Sequence, residues 1–166
     1  MEFIHQHHFA ASVERVAAML ADEEFVRLRA SAAGGAPSDD GDVWVDGTAQ
    51  GAFTVSIRRV VPASSIPKEF RSLVGNDLHV RYTEAWQEPS GDDRVGTFAV
   101  EIVGAPGHAA GALGLTPTAD GCDFLATGEV KVQVPLFGAM VERAVKDAVV
   151  KGLDAELASA DAWLER

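Results

Sequence analysis

Apolar and polar positions alternate with period two through the middle of the chain and switch to helical spacing near both ends. The opening strand is Glu2 to Phe9. The stretch "AASVERVAAML" then starts a helix, with Ser12 at the N-cap and Val13, Val16, Ala17 and Leu20 on one face. Asp22 is placed to cap a second helix, "EEFVRLRASAA", which stops at Gly34 and Gly35. "GGAPSDDGD" is a loop by composition, and strands follow at Val43 to Asp46 and Ala52 to Val60. Pro67 opens a short helix that puts Phe70, Leu73 and Val74 on one side. Four more strands are expected: Leu78 to Trp86, Arg94 to Val103, His108 to Thr116 and Cys122 to Val134. Their separators, "EPSGDD", "GAPG" and "PTADG", have hairpin length and hairpin residue types. A helix from Leu136 to Glu165, entered through Pro135, closes the chain.

The hairpins predict a register. If Trp86 faces Arg94, then Tyr82 faces Phe98, Val80 faces Val100 and Leu78 faces Ile102. The next turn sets Val100 opposite Gly111 and Phe98 opposite Leu113. The last sets Leu113 opposite Phe124, Gly111 opposite Ala126 and Ala109 opposite Gly128. One parity choice places the apolar residues of all four strands on one face, as a half-buried antiparallel meander requires.

The last helix carries Phe137, Val141, Ala144, Val145, Ala148 and Gly152 at the spacing of one face. That face is small in the middle, and so is the inner face of the sheet, at Ala109, Gly111, Ala126 and Gly128. Small residues facing small residues have two outcomes. The helix and sheet approach closely, as dense interiors usually do, or a curved, Gly-rich sheet holds the helix off and leaves a cavity.

Composition narrows the class. The chain has 166 residues, 47% hydrophobic and 23% charged, which suits one soluble domain spanning 1–166. A net charge of −11 argues against nucleic acid and anionic membrane surfaces as partners. The single cysteine, Cys122, excludes an internal disulfide and a multi-cysteine zinc site. "MEFIHQHHF" lacks the basic-then-apolar pattern of a signal peptide. The uncharged run from Ile102 to Ala119 is broken by glycines and prolines, so no stable membrane insertion is expected. The expected location is the cytoplasm.

This order of elements resembles the START-like, or Bet v 1-like, superfamily. "FAASVERVAAML" is similar to that family's strand-end and helix-start motif, with Phe9, Ser12, Glu14, Val16 and Leu20 at matching positions. "VKVQVPLFGAMVERAV" resembles its approach to the last helix, and "VVPASSIPKEFRSLVGNDLHVRYTEAW" resembles an uncharacterised bacterial branch. Ala17 stands where related chains often carry an aromatic residue, which reshapes one end of the interior. The resemblance implies an α+β helix-grip fold. In it, a curved antiparallel sheet of about seven strands wraps around a long C-terminal helix, with two short helices after the first strand. It also implies a cavity for apolar ligands between sheet and helix. The superfamily includes carriers, receptors and cyclases, so the fold alone does not fix a function.

Polar residues of inner parity are the candidates for chemistry, because burying them costs free energy unless they are paired. Glu84 shares parity with Leu78, Val80, Tyr82 and Trp86. It reads either as an interior carboxylate that orients a ligand or acts as a base, or as a strand-end glutamate in solvent near Arg94. His5 and His7 share a face with Phe3 and Phe9 and read as hydrogen-bonded cavity or rim histidines. They lack a third ligand nearby, so no metal is expected. Arg59 has the parity of Phe53, Val55 and Ile57, and reads as a clamp for an anionic group or as a solvated strand end. Trp44, Tyr82, Trp86 and Phe98 are candidate cavity walls or plain core. Phe53, Val55, Phe70, Leu113 and Phe124 join them, with Val141, Ala144, Ala148 and Gly152 from the helix. "SDDGDVWVDG" does not have the spacing of a calcium loop. Cys122 has no basic neighbour to make it a nucleophile. No phosphate-binding glycine loop is present, and no cofactor is expected.

The first expectation is a binder of a small hydrophobic or amphipathic molecule, without catalysis. The entrance is framed by residues 66–74 and the "GAPG" turn. The second is a cyclase or aromatase type of enzyme using Glu84 or His7 as acid or base. The third is an interaction module with a closed interior.

Overall fold

Two side-chain caps set the helices that follow the first strand. Ser12 accepts a hydrogen bond from the Arg15 backbone N–H at 3.3 Å, starting α1 (Val13–Leu20). Asp22 accepts from the backbone N–H groups of Glu24 and Phe25, starting α2 (Glu23–Ala32). These helices follow β1 (Glu2–Phe9) and bury Val13, Val16, Ala17 and Leu20 from one and Phe25, Val26 and Ala30 from the other. In this computed structural model the chain continues through β2 (Val43–Gly47), β3 (Phe53–Pro62), a 3-10 turn (Lys68–Phe70), α3 (Arg71–Val74) and β4 (Asp77–Trp86). Then come β5 (Arg94–Val103), β6 (Gly107–Thr118), β7 (Gly121–Val132) and the 27-residue helix α4 (Gly138–Leu164). The structure describes residues 1–32, 42–62, 64, 68–74, 77–104, 107–136 and 138–166, with the backbone alone at Pro62, Phe70, Leu73 and Val74.

All seven strands form one curved antiparallel sheet, ordered β1-β7-β6-β5-β4-β3-β2. The expected parity holds on every strand of the meander, but each register differs by two residues. Trp86 stands opposite Gly96, Glu84 opposite Phe98 and Tyr82 opposite Val100. Phe98 faces Gly111, Leu113 faces Ala126 and Leu115 faces Phe124. Tyr82 and Phe98, or Leu113 and Phe124, are therefore diagonal rather than direct neighbours. The turns supply the reason. The strands β6 and β7 pair all the way to Thr118 and Gly121, using residues that composition assigns to the loop. A slip of two preserves faces, so alternation does not detect it.

The sheet's small residues have a use that differs from the expected one. Gly111 and Gly128 are direct partners. A Cβ on Gly128 would stand 2.7 Å from the Phe98 ring and 2.9 Å from the Phe3 ring. A Cβ on Gly111 would run into the Thr127 carbonyl oxygen and stand 2.8 Å from Phe98. The paired glycines therefore seat two aromatic rings, whose centroids lie 6.0 Å apart.

The last helix also departs from expectation. Leu136 has φ 70°, a left-handed conformation that no right-handed helix continues through, so α4 starts at Gly138 rather than at Leu136. Val145, Val149 and Leu153 pack against the core, with Leu157 and Ala160 buried. Ala148 is exposed, which corrects its expected place on the inward face. Val141, Ala144 and Gly152 are partly exposed, and a Cβ on Gly152 would meet nothing within 4 Å. The larger C-terminal residues orient the helix. Trp163 meets the Phe25 ring edge-on at 5.5 Å, and α4 packs chiefly on α2, β7, β1 and α1. Phe137 and Ile66 lie outside the described residues, as do residues 105–106 of the "GAPG" turn.

Candidate functional site

Reading the inner face in cross-strand rows reveals a gradient. Phe53, Trp86, Gly96, Leu113 and Ala126 form a row of paired positions that is buried throughout. Val55, Glu84 and Phe98 lie in the next row and are buried as well. One row further, Tyr82 and Val100 keep some exposure, while Ile57, Ala109 and Val130 of the same row are buried. In the row after that Arg59, Val80 and Ile102 are all partly exposed, as are Gly107 and Val132. The start of α4 stands beside this end, because Glu142 accepts a hydrogen bond from the Val132 backbone N–H at 3.0 Å.

A polar cluster crosses the gradient where it changes. Glu84 is 2% exposed and belongs to neither solvent nor Arg94. Its partner is Arg29 of α2, 4% exposed, with Nη2 2.9 Å from Oε1 and Nη1 3.3 Å from Oε2. The Tyr82 hydroxyl donates to Glu84 Oε2 at 2.5 Å, and the Trp86 indole N–H donates to Oε1 at 3.2 Å. Burial, and then the Glu84 carboxylate, push the Tyr82 hydroxyl well above its ordinary pKa, so it keeps its proton. Burial works to lower the Arg29 pKa, and Glu84, with Tyr82 and Glu156, more than offsets it, so the guanidinium stays charged. Diagonally across from Tyr82, Arg59 pairs with Glu156 of α4 at 2.9 Å, both side chains mostly buried. The cluster thus joins α2, the sheet and α4, with two cations against two anions.

Three buried donor atoms in it form no hydrogen bond among the described residues: Arg29 Nε, Arg29 Nη2 and Arg59 Nε. Nη2 still has its ion-pair contact with Glu84 Oε1 at 2.9 Å, which leaves the two Nε atoms idle. A buried donor left unpaired costs about 1–3 kcal/mol. Native proteins rarely keep such groups without a partner such as water or a ligand.

The remaining expected site residues divide. Phe53, Val55, Tyr82, Glu84, Trp86, Phe98, Leu113 and Phe124 all face inward, and Arg59 lies at the partly exposed end of the same face. Trp44 is a correction. It alternates with inward Val43, lies on the outer face at 39% exposure, and carries the Arg58 guanidinium 5.2 Å from its ring centroid. The Phe70 side chain lies outside what is described. His5 and His7 are rim groups held by α4, His5 to Asp154 at 3.3 Å and His7 to Asp161 at 3.0 Å. No group of three or more metal-ligating side chains converges among the described residues. Burial, with Asp123 beside it, pushes the Cys122 thiol up to about 11, so it stays protonated at neutral pH. Arg94, expected at a strand end, is buried and donates to the carbonyls of Gln87, Ala49 and Gly51, tying two hairpin turns together.

Sequence reasoning missed Arg29 and Glu156. Arg29 had a readable signal, since it follows Phe25 by four and Val26 by three and so falls on the buried stripe of α2. Glu156 had none, because its place depends on how α4 is rotated.

The fold is shared with proteins of very different roles. TTHA0849 from Thermus thermophilus superposes with a TM-score of 0.59 at 15% identity, covering 98% of this chain and 95% of that one. The di-domain ARO/CYC StfQ from the steffimycin biosynthetic pathway gives a TM-score of 0.64 at 12% identity. The match covers 99% of this chain and 50% of StfQ. Truncated norcoclaurine synthase from Thalictrum flavum gives 0.56 at 16% identity, covering 100% and 94%. At these identities the likeness establishes the Bet v 1-like, START-like fold and nothing about ligand or reaction. No helix among the described residues is long and apolar enough to cross a membrane. A search of the curated proteins finds no match. A sequence profile does match residues 4–164, and by it the chain belongs to the DUF2505 family, described as a protein of unknown function.

Proposed function

We propose that this protein binds a small hydrophobic or amphipathic molecule between the sheet and α4. The observation that carries the reading is the exposure gradient. Val80, Val100 and Ile102 point to the helix side of the sheet yet keep partial exposure, while Phe53, Trp86, Gly96, Leu113 and Ala126 further along the same face are sealed. Apolar wall left open on a concave, helix-covered face is the usual lining of a ligand site. The polar cluster lies at the inner limit of that wall and would receive the ligand's polar end.

Binding is a better account than acid–base catalysis by Glu84. Three hydrogen bonds, from Arg29, Tyr82 and Trp86, and the Arg29 ion pair already engage both carboxylate oxygens, which leaves Glu84 a weak base for a substrate proton. His7 sits at the rim against Asp161. The StfQ and norcoclaurine synthase likenesses show that the fold accommodates synthetic roles elsewhere, without supplying catalytic residues here.

The test is a titration with the uncharged fluorophore N-phenyl-1-naphthylamine, alongside native mass spectrometry for a co-purified molecule. Val100→Trp fills the open row. It should weaken the probe by about tenfold while costing less than about 1 kcal/mol of stability, because the ring enters free space instead of overpacking. Absence of probe binding by the parent protein, or equal binding by both, overturns the reading.

A further inference from the structure

The two idle donors say something about the ligand's chemistry. Resting on the binding reading above, we propose that the bound molecule's polar end is an uncharged oxygen acceptor, such as a ketone or ester carbonyl, received by Arg29 Nε and Arg59 Nε. The charge count decides between this and an acid. Arg29 and Arg59 are already opposed by Glu84 and Glu156, at 2.9 Å in each case. The site therefore lacks an acceptor, and it does not lack a negative charge. A carboxylate brought there would stand beside two others with no cation of its own, which a buried site penalises heavily. A hydroxyl donor gains little, since the Glu84 oxygens are occupied by Arg29, Tyr82 and Trp86. A neutral carbonyl oxygen accepts from either Nε and leaves both ion pairs intact.

Three molecules of one shape separate the alternatives: 2-acetylnaphthalene, 2-isopropenylnaphthalene and 2-naphthoate. Affinities are read by displacement of N-phenyl-1-naphthylamine at neutral pH. The ketone should bind about tenfold more tightly than the alkene, the value of roughly one or two net hydrogen bonds, and more tightly than the carboxylate. Arg59→Lys keeps a cation opposite Glu156 but shortens the donor set. It should cut the ketone's advantage to about threefold or less and leave the alkene within about twofold of wild type. Equal binding of ketone and alkene by the wild-type protein means that water alone serves the donors, and overturns the proposal while leaving the binding reading standing. Tightest binding by the carboxylate overturns it too, by showing that Glu156 gives way to an anion. If none of the three displaces the probe because the probe itself does not bind, the binding reading fails and takes the proposal with it.

Discussion

The two ends of the inner sheet face differ in burial although their patterns are alike. At one end Phe9, Phe53, Leu115, Cys122 and Phe124 are sealed by α1, α2 and the C-terminal half of α4. At the other, Val80, Val100, Ile102 and Val132 alternate just as regularly and remain partly open. Period-two alternation reports which way a side chain points. What covers it is decided by elements far away in sequence, here the seating of Trp163 on Phe25 and of Leu157 in the core. The boundary between the two ends is where the ion pairs sit.

The largest effect should come from breaking that boundary. Glu84→Ala leaves the Arg29 guanidinium buried without its anion, and should lower stability by about 3–5 kcal/mol in chemical unfolding. A loss below about 1 kcal/mol would mean that solvent reaches Arg29 and the sealed end is smaller than it looks. A comparison across the boundary comes next. Leu115→Ala, in the sealed end, should cost about 2–5 kcal/mol, whereas Val100→Ala, in the open end, should cost less than about 1 kcal/mol. Equal costs would erase the distinction. The smallest effect concerns the helix. Gly152→Ala adds a methyl that meets nothing within 4 Å and should raise stability by about 0.5–1 kcal/mol. Destabilisation would place Gly152 against a wall and rotate α4 back toward the face its small residues suggested.

Much of this architecture is legible in the sequence for identifiable reasons. Ser12 and Asp22 announce their helices because a cap is a local hydrogen bond. The inward residues of β4 to β7 are legible because alternation is strict. The register is not, because Thr118 and Gly121 look like loop residues and still pair. Trp44 groups with the walls only by being aromatic, although its own alternation with Val43 already points it outward. Glu84 stands out in the sequence as an inner-face polar residue, but the partner that the sequence suggests is in the neighbouring strand and the actual one lies on α2. An arginine on a helix reads as solvated until the stripe it interrupts is counted. Ala148 shows the converse, since helical spacing alone suggests several faces and packing selects one.

The pairing of β1 with β7 bears on how the chain reaches this state. Phe3 lies opposite Gly128, about three quarters of the chain away in sequence, whereas the other neighbours in the sheet are successive strands. Each hairpin of the meander closes over a short loop, but the edge strand must wait for the last strand to exist before it has anything to bond. Synthesised from the N-terminus, β1 would leave the ribosome early and remain unpaired through most of translation. Its docking is then the high-contact-order step, expected to set the folding rate and to leave an exposed strand edge, the usual seed of aggregation, while it is pending.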